Sequence, residues 1–356
     1  MIYGKGPFIK PYLTTRMLVP ENQESPVHFL GQMVTPQEYL YRRNHFFYPM
    51  LTCRSFLLPI DGEVSRPMVF HFMNLLSMPS KTLTMVLECS GNRRAYFDPK
   101  AYGDQWKEGA IHQGTWRGVP LIYLLHMAGI KASATEVVFE GHDIGPRTDM
   151  EGSFSYKRSL PIDNALHPDT MIAYELNGRP IPYKHGYPFR LIVPQWYGMA
   201  SVKWLKKISV IGHKFEGPFQ SVDYMYYPHK EDDMGKRPVT KIKVNSIIQQ
   251  PLDMSLLDTG VHLIKGIAYT GEGVITQVEL SLDGGVNWCN ATICPDAIHP
   301  YAWISWKYQW NVEKKGEYTI MARAKDSSGH IQPQEEEWNR KGYGYNRITR
   351  ISVKVE

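Results

Sequence analysis

The chain has 356 residues, 43% hydrophobic and 21% charged, with a formal net charge of +5. That is the composition of a folded globular protein, long enough for two domains. Lys and Arg are scattered without a long basic run, which argues against a nucleic-acid partner, and no apolar run approaches the roughly 18 residues of a membrane span.

The first 35 residues are Pro-rich and irregular, and residues 1–26 are assigned as an arm outside the domains. No charged-then-apolar leader pattern opens the chain. The four cysteines (Cys53, Cys89, Cys289, Cys294) include no CxxC pair. Cys289 and Cys294 are near enough in sequence for a local bridge, but a reduced, soluble cytoplasmic protein is the simpler expectation.

Arg42, Arg43, Asn44 and His45 put two cations, an amide and an imidazole side by side. They read either as a solvated turn or as a fork of donors for a phosphate or another oxyanion. Residues 56–80 alternate apolar and polar with a break at Pro59–Gly62, a strand–turn–strand signal. Leu83, Met85 and Leu87 then alternate with Thr82, Thr84 and Val86, which predicts a strand. The strand meets Cys89 and is broken by Ser90-Gly91-Asn92, and Arg93 and Arg94 follow at once. A structural thiol beside a solvated arginine pair is one reading. The other is a thiolate favoured by positive neighbours, fit to bind a soft metal.

Residues 115–130 read as a turn and then a helix, with Pro120 at its start and Gly129 at its end. His126 in that helix reads as a surface residue. Glu136–Glu140 predicts a short strand leading into a turn at 141–145 that carries His142 and Asp143. A short helix over 161–166, a buried strand at 171–174 and a turn at Asn177-Gly178 follow. In the dense stretch 185–211, His185, Arg190, Ser201 and Lys203 stud the turn ends, where bound ligands are usually held.

Residues 228–240 are charged, contain Gly and Pro and lack an apolar period, which marks a linker. The domains are therefore 27–235 and 236–356. Beyond the linker, segments 242–248, 261–269, 274–282, 302–310, 316–325 and 348–355 are short alternating strands separated by turns. That spacing predicts a β-sandwich.

Five motifs occur in order: Arg-Asn-His at 43–45, Glu-Cys-Ser-Gly-Asn-Arg-Arg at 88–94, Thr-Trp-Arg-Gly-Val-Pro-Leu at 115–121, His-Gly-Tyr-Pro-Phe-Arg at 185–190 and Trp-Tyr-Gly-Met-Ala-Ser-Val-Lys-Trp-Leu at 196–205. Together they resemble the sulfite oxidase family of molybdenum-cofactor oxidoreductases. Residues 268–273, 282–288, 323–326 and 338–342 look like that family's immunoglobulin-like dimerisation domain. The resemblance runs from about residue 27 to the C-terminus. It implies an α+β fold, a mixed α/β molybdopterin-binding domain followed by an immunoglobulin-like β-sandwich, assembled as a homodimer.

The resemblance also implies roles. Cys89 would be the protein ligand to molybdenum. Arg43, Asn44, His45, Asp143, His185, Arg190, Ser201, Val202 and Lys203 would hold the pyranopterin and its phosphate. Tyr224 falls where the family has a substrate-side tyrosine, with Tyr226 and Tyr227 as alternatives. Arg43 and Arg94 would flank the substrate anion. Where the family brings a further arginine from the second domain, this chain has Lys341, with Arg340 beside it. A lysine is a point charge, not a fork, so the oxyanion pocket is altered. The implied reaction is oxygen-atom transfer to a small sulfur anion, sulfite to sulfate foremost. No haem motif is present, so electrons would pass to an external acceptor: a cytochrome, a quinone-linked protein or oxygen. Alternatives on the same cofactor are a sulfane dehydrogenase-like enzyme or an S- or N-oxide reductase. Alternatives of other classes are an inactive binding protein of the same fold and a thiol hydrolase built on Cys89.

Overall fold

The computed structural model describes residues 12–53, 56–294 and 299–356. Among them no helix is long and apolar enough to cross a membrane. Sheets dominate, and the longest helix has eight residues.

The first domain is built on two five-stranded sheets. In one, Lys81–Glu88 pairs antiparallel with Ile111–Pro120, which pairs with Met171–Leu176. Arg179–Pro180 and Arg190–Ile192 share the outer edge of Met171–Leu176. The Asn177-Gly178 turn expected there is present, with both residues at positive φ (55° and 72°). The other sheet runs Met68–His71, Leu57–Gly62, Leu205–Ile211, Glu136–Pro146, Ser153–Pro161. Leu57–Gly62 and Leu205–Ile211 pair in parallel. Helix Leu121–Ala128 packs Leu121, Leu124, Leu125 and Ala128 into the core. Gly129 ends it at φ 70°, its N–H reaching Leu125 O and His126 O.

Three local expectations change. Pro59 does not break the chain but lies within Leu57–Gly62, opposite Val69. Pairing with Leu205–Ile211 starts only at Ile60, so Pro59 sits where the strand has one neighbour and its missing N–H is tolerated. The stretch 115–120 is strand, not turn. Residues 141–145 are likewise not a turn: Glu136–Pro146 is one strand with its register shifted between Glu140 and Ile144. That bulge re-aims Asp143 inward. The arm is also more ordered than its composition suggests. Thr14–Met17 and Asn22–Glu24 form a hairpin tied to the first domain by the Gln23–Arg42 bridge.

The second domain is a sandwich of a four-stranded and a five-stranded sheet. Gly260–Tyr269, Ile275–Ser281, Ile304–Val312, Gly316–Asp326 and Thr349–Val355 follow the alternation of the sequence. Their inward residues, among them Trp306, Trp310, Ile320 and Val353, make its core. Ser255–Leu257, Cys289–Asn290 and Thr292–Cys294 are too short to carry a period and were invisible in the pattern. Ile247, Ile267, Tyr269 and Trp303 pack into the core of the first domain, so the two domains share one apolar seam.

Candidate active site

Cys89 lies one residue past the strand Lys81–Glu88. Its N–H bonds Ala110 O (2.8 Å), and Asn92 N and Arg94 N close the following turn on Cys89 O and Gly91 O. The turn sends its two arginines opposite ways. Arg93, at φ 66°, is buried against the second domain, donating to Asn245 Oδ1 (2.7 Å) and Thr349 Oγ1 (3.0 Å). Arg94 donates to Lys341 O and Asp104 O (both 3.0 Å) over the ring of Tyr343.

Cys89 opens into a cavity of about 650 Å³. Arg43, Asn44, His45, Asp143, His185, Arg190, Ser201, Lys203 and Tyr224 line it, so the cavity collects residues scattered from position 43 to position 224 of the sequence. Val202 does not line it; its side chain is in the core. The cavity is cationic, and its cations are held by neutral groups. Arg190 donates to Ser201 O (3.1 Å) and His185 O (3.2 Å), and burial pushes its pKa down to about 10. Lys203 donates to Arg43 O (3.0 Å) and Asn44 Oδ1, and burial near Arg190 holds its ammonium well below the usual lysine range. Burial pushes Asp143 up to about 6 against the pull of Lys203. His185 is held neutral by burial. Buried cations without matching carboxylates are costly unless an anion completes them.

The thiol corrects one expectation. Burial pushes the pKa of Cys89 up, outweighing the lowering by Arg43 and Arg94. Positive neighbours alone do not make it a thiolate here; coordination to a metal would.

A wider outer cavity of about 2140 Å³ shares Arg43, Asn44 and His45 with the inner one. Arg94, Arg147, Asp223, Lys341 and Tyr343 line it. Asp223 bridges two of its cations, with Oδ1 3.1 Å from Lys341 Nζ and Oδ2 2.6 Å from Arg147 Nη1. Arg43 and Arg94 have no carboxylate partner within ion-pair distance among the described residues. Tyr224 stands between the cavities, its hydroxyl 2.7 Å from His45 Nε2 and its ring stacked on Tyr343. The Arg43 guanidinium, 3.4 Å from His45 Nδ1, can only donate. Nδ1 is therefore the acceptor, Nε2–H donates to Tyr224, and the phenolic proton is left for another partner.

Tyr226 and Tyr227 line neither cavity: Tyr226 lies under Arg237, and Tyr227 donates to Val222 O (2.9 Å). Nor does Arg340. Its guanidinium turns outward to Asp233 (2.5 Å) over the Tyr227 ring, while Lys341, next to it in the same turn, takes the inward position.

The donor set fits a molybdopterin. Ser90 Oγ, Asp143 Oδ1 and both nitrogens of His112 are buried without a hydrogen-bond partner among the described residues, and all three residues line this cavity. Among the described residues no three His, Cys, Asp or Glu side chains converge to hold a metal ion. A metal beside Cys89 therefore needs ligands that its own cofactor brings, as the two dithiolene sulfurs of the pterin would. Sequence reasoning missed His112, Tyr41 and Tyr156 on the cavity wall. It also missed the hairpin's part: Asn44 donates through its backbone N–H to Asn22 Oδ1 and through Nδ2 to Glu21 O (both 2.6 Å).

Residues 45–219 match the oxidoreductase molybdopterin binding domain, and residues 236–356 match the Mo-co oxidoreductase dimerisation domain. Mitochondrial sulfite oxidase of Rattus norvegicus is 31% identical over 373 residues, 99% of this chain and 67% of the relative. Sulfite oxidase of Arabidopsis thaliana is 31% identical over 371 residues, 96% of this chain and 93% of the relative. The sulfane dehydrogenase SoxCD of Paracoccus pantotrophus superposes with a TM-score of 0.84 at 29% identity, covering 98% of this chain and 92% of that one. A thiol at a strand end, a cationic cavity around it and relatives matching along nearly the whole length agree: the chain belongs to the sulfite oxidase family of molybdenum-cofactor oxidoreductases.

Proposed function

We propose that the enzyme oxidises sulfite to sulfate and hands the electrons to a separate acceptor protein or to oxygen. The observation that carries this reading is the pair Arg43 and Arg94, lining the outer cavity with their charge not cancelled by any carboxylate within ion-pair distance among the described residues. In this reading Cys89 binds the metal, and Arg190, Lys203, His185 and Ser201 grip the pterin and its phosphate, with Asp143 accepting from the pterin. When bound, the cofactor supplies oxygen-atom transfer coupled to two-electron oxidation. The chain supplies the rest. Arg43, Arg94 and Lys341 draw in and orient a small anion, preorganised before it arrives. Tyr224, held by His45, keeps a phenolic proton at the boundary of the two cavities. Burial of the inner wall excludes bulk water from the metal side.

The match to a dimerisation domain supports a homodimer. All four cysteines are unbridged, which suits a reducing compartment such as the cytoplasm. A second reading, oxidation of a different sulfur compound, is favoured by Asp223. Together with Asp149, which also pairs with Arg147, it offsets Lys341 and Arg147 at the mouth, and so weakens the pocket for a doubly charged anion. Metal analysis of the purified protein, followed by turnover with sulfite and with sulfane compounds using an artificial acceptor, separates the readings. Molybdenum near one per chain with sulfite turnover is the expected result. Molybdenum without sulfite turnover refutes the substrate, and protein free of molybdenum from a cofactor-competent host refutes the reading as a whole.

A further inference from the structure

His112 sits on strand Ile111–Pro120 directly opposite Leu87, two residues before Cys89 on the neighbouring strand. Its ring is 1% exposed and lines the inner cavity, 5.0 Å from the ring of Tyr41 and 6.3 Å from that of His185. Both ring nitrogens lack a hydrogen-bond partner among the described residues. A neutral imidazole carries one donor and one acceptor, and burying both unpaired is unfavourable. Burial beside Arg190 pushes its pKa down to about 3, so the ring is neutral. None of the roles above uses it.

We propose that His112 is a cofactor-binding residue whose imidazole hydrogen-bonds the pterin ring system and seats it against Cys89. The chemistry selects the pterin over the phosphate. A phosphate oxygen only accepts, and Arg190 and Lys203 already supply fixed donors to it. A pterin edge both donates and accepts, which is what a neutral imidazole complements. Its place across the ladder from the Cys89 strand puts that contact on the same wall as the metal ligand.

This inference rests on the cofactor reading, and the experiment keeps the two apart. The full chain and its His112→Gln, His112→Leu and His112→Phe variants are produced in a molybdopterin-competent host. Pterin is quantified per chain by fluorescence of the oxidised, extracted cofactor, and folding is checked by circular dichroism and thermal unfolding. The folded apolar variants are expected to hold at least fivefold less pterin than the parent, and the Gln variant, which restores one donor and one acceptor, at least half. Leu and Phe are two independent apolar tests, so a folding failure in one leaves the other to decide. If a folded apolar variant loads like the parent, or if Gln loses as much as Leu and Phe, His112 is only packing and the assignment is overturned. A parent protein without pterin overturns the cofactor reading, and this assignment with it.

Discussion

Asp223 Oδ1 lies 3.1 Å from Lys341 Nζ, and the lysine is the second domain's one contribution of charge to the outer cavity among the described residues. The carboxylate also takes Arg147. It therefore decides how much positive potential an incoming anion meets. Asp223→Asn is expected to lower KM for sulfite about threefold to tenfold with kcat little changed, and to steepen the dependence of kcat/KM on ionic strength. Steady-state kinetics at several salt concentrations check this. An unchanged KM would mean that the anion does not pass Lys341.

Cys89→Ala is expected to leave a folded protein that has lost oxidase activity by at least a hundredfold. The thiol faces the Gly91 backbone N–H, and sulfur is a weak acceptor, so thermal unfolding should be little affected. Activity assays and circular dichroism on the same sample check both halves. Substantial turnover by this variant would sink the metal-ligand role.

Arg93 is buried, donates to Asn245 Oδ1, Thr349 Oγ1 and Arg347 O, and pairs with Glu108 at 3.5 Å. Arg93→Ala strips Glu108 of its ion-pair partner and leaves Asn245 Oδ1 and Arg347 O with Gln332 Nε2 as their donor, which costs about 3–5 kcal/mol. Arg93→Lys should recover less than half of that, since a point charge cannot fork to two partners. Denaturant unfolding of the three proteins gives the numbers.

Glu88 is buried beside Cys89, accepting from Asn92 Nδ2 (2.9 Å) and Tyr269 OH (2.8 Å), and burial pushes its carboxyl from 4.5 up to about 7. Below pH 4.5 it is protonated folded and unfolded alike. Between 4.5 and about 7 only the unfolded chain ionises, so stability falls as pH rises, and above that window it stays at the lower level. The loss amounts to about 3 kcal/mol. Glu88→Gln should flatten this slope, which urea titrations at pH 5 and pH 8 would reveal.

Much of this was legible in the chain. A period of two marked the long strands of the sandwich, because each has one buried face; the Cys89 strand showed it as Thr alternating with apolar residues, although both its faces are buried from Thr84 on. The cavity residues were legible through ordered motifs, not through periodicity. What escaped has identifiable causes. Residues 111–114 are buried on both faces, one packed and one facing the cavity, so His112 left no alternation to notice. Asp143 was named, but the bulge that carries it to the cavity was read as a turn, because sequence spacing does not encode a bulge. Arg340 and Lys341 are neighbours whose directions depend on how the second domain docks. Arg93 looked like half of a solvated pair because its partners lie 152 and 256 residues away.

The turn from Cys89 to Arg94 has a consequence for exchange between related proteins. Six consecutive residues hold the proposed metal ligand, the bolt to the second domain and the stacking partner of Tyr343. Adding or removing one residue there would break all three at once. Grafting either domain from a relative would succeed only where the recipient surface offers counterparts of Asn245, Thr349 and the Lys341 carbonyl. The two domains are thus expected to have been inherited as a unit, with changes on one side of the joint answered on the other.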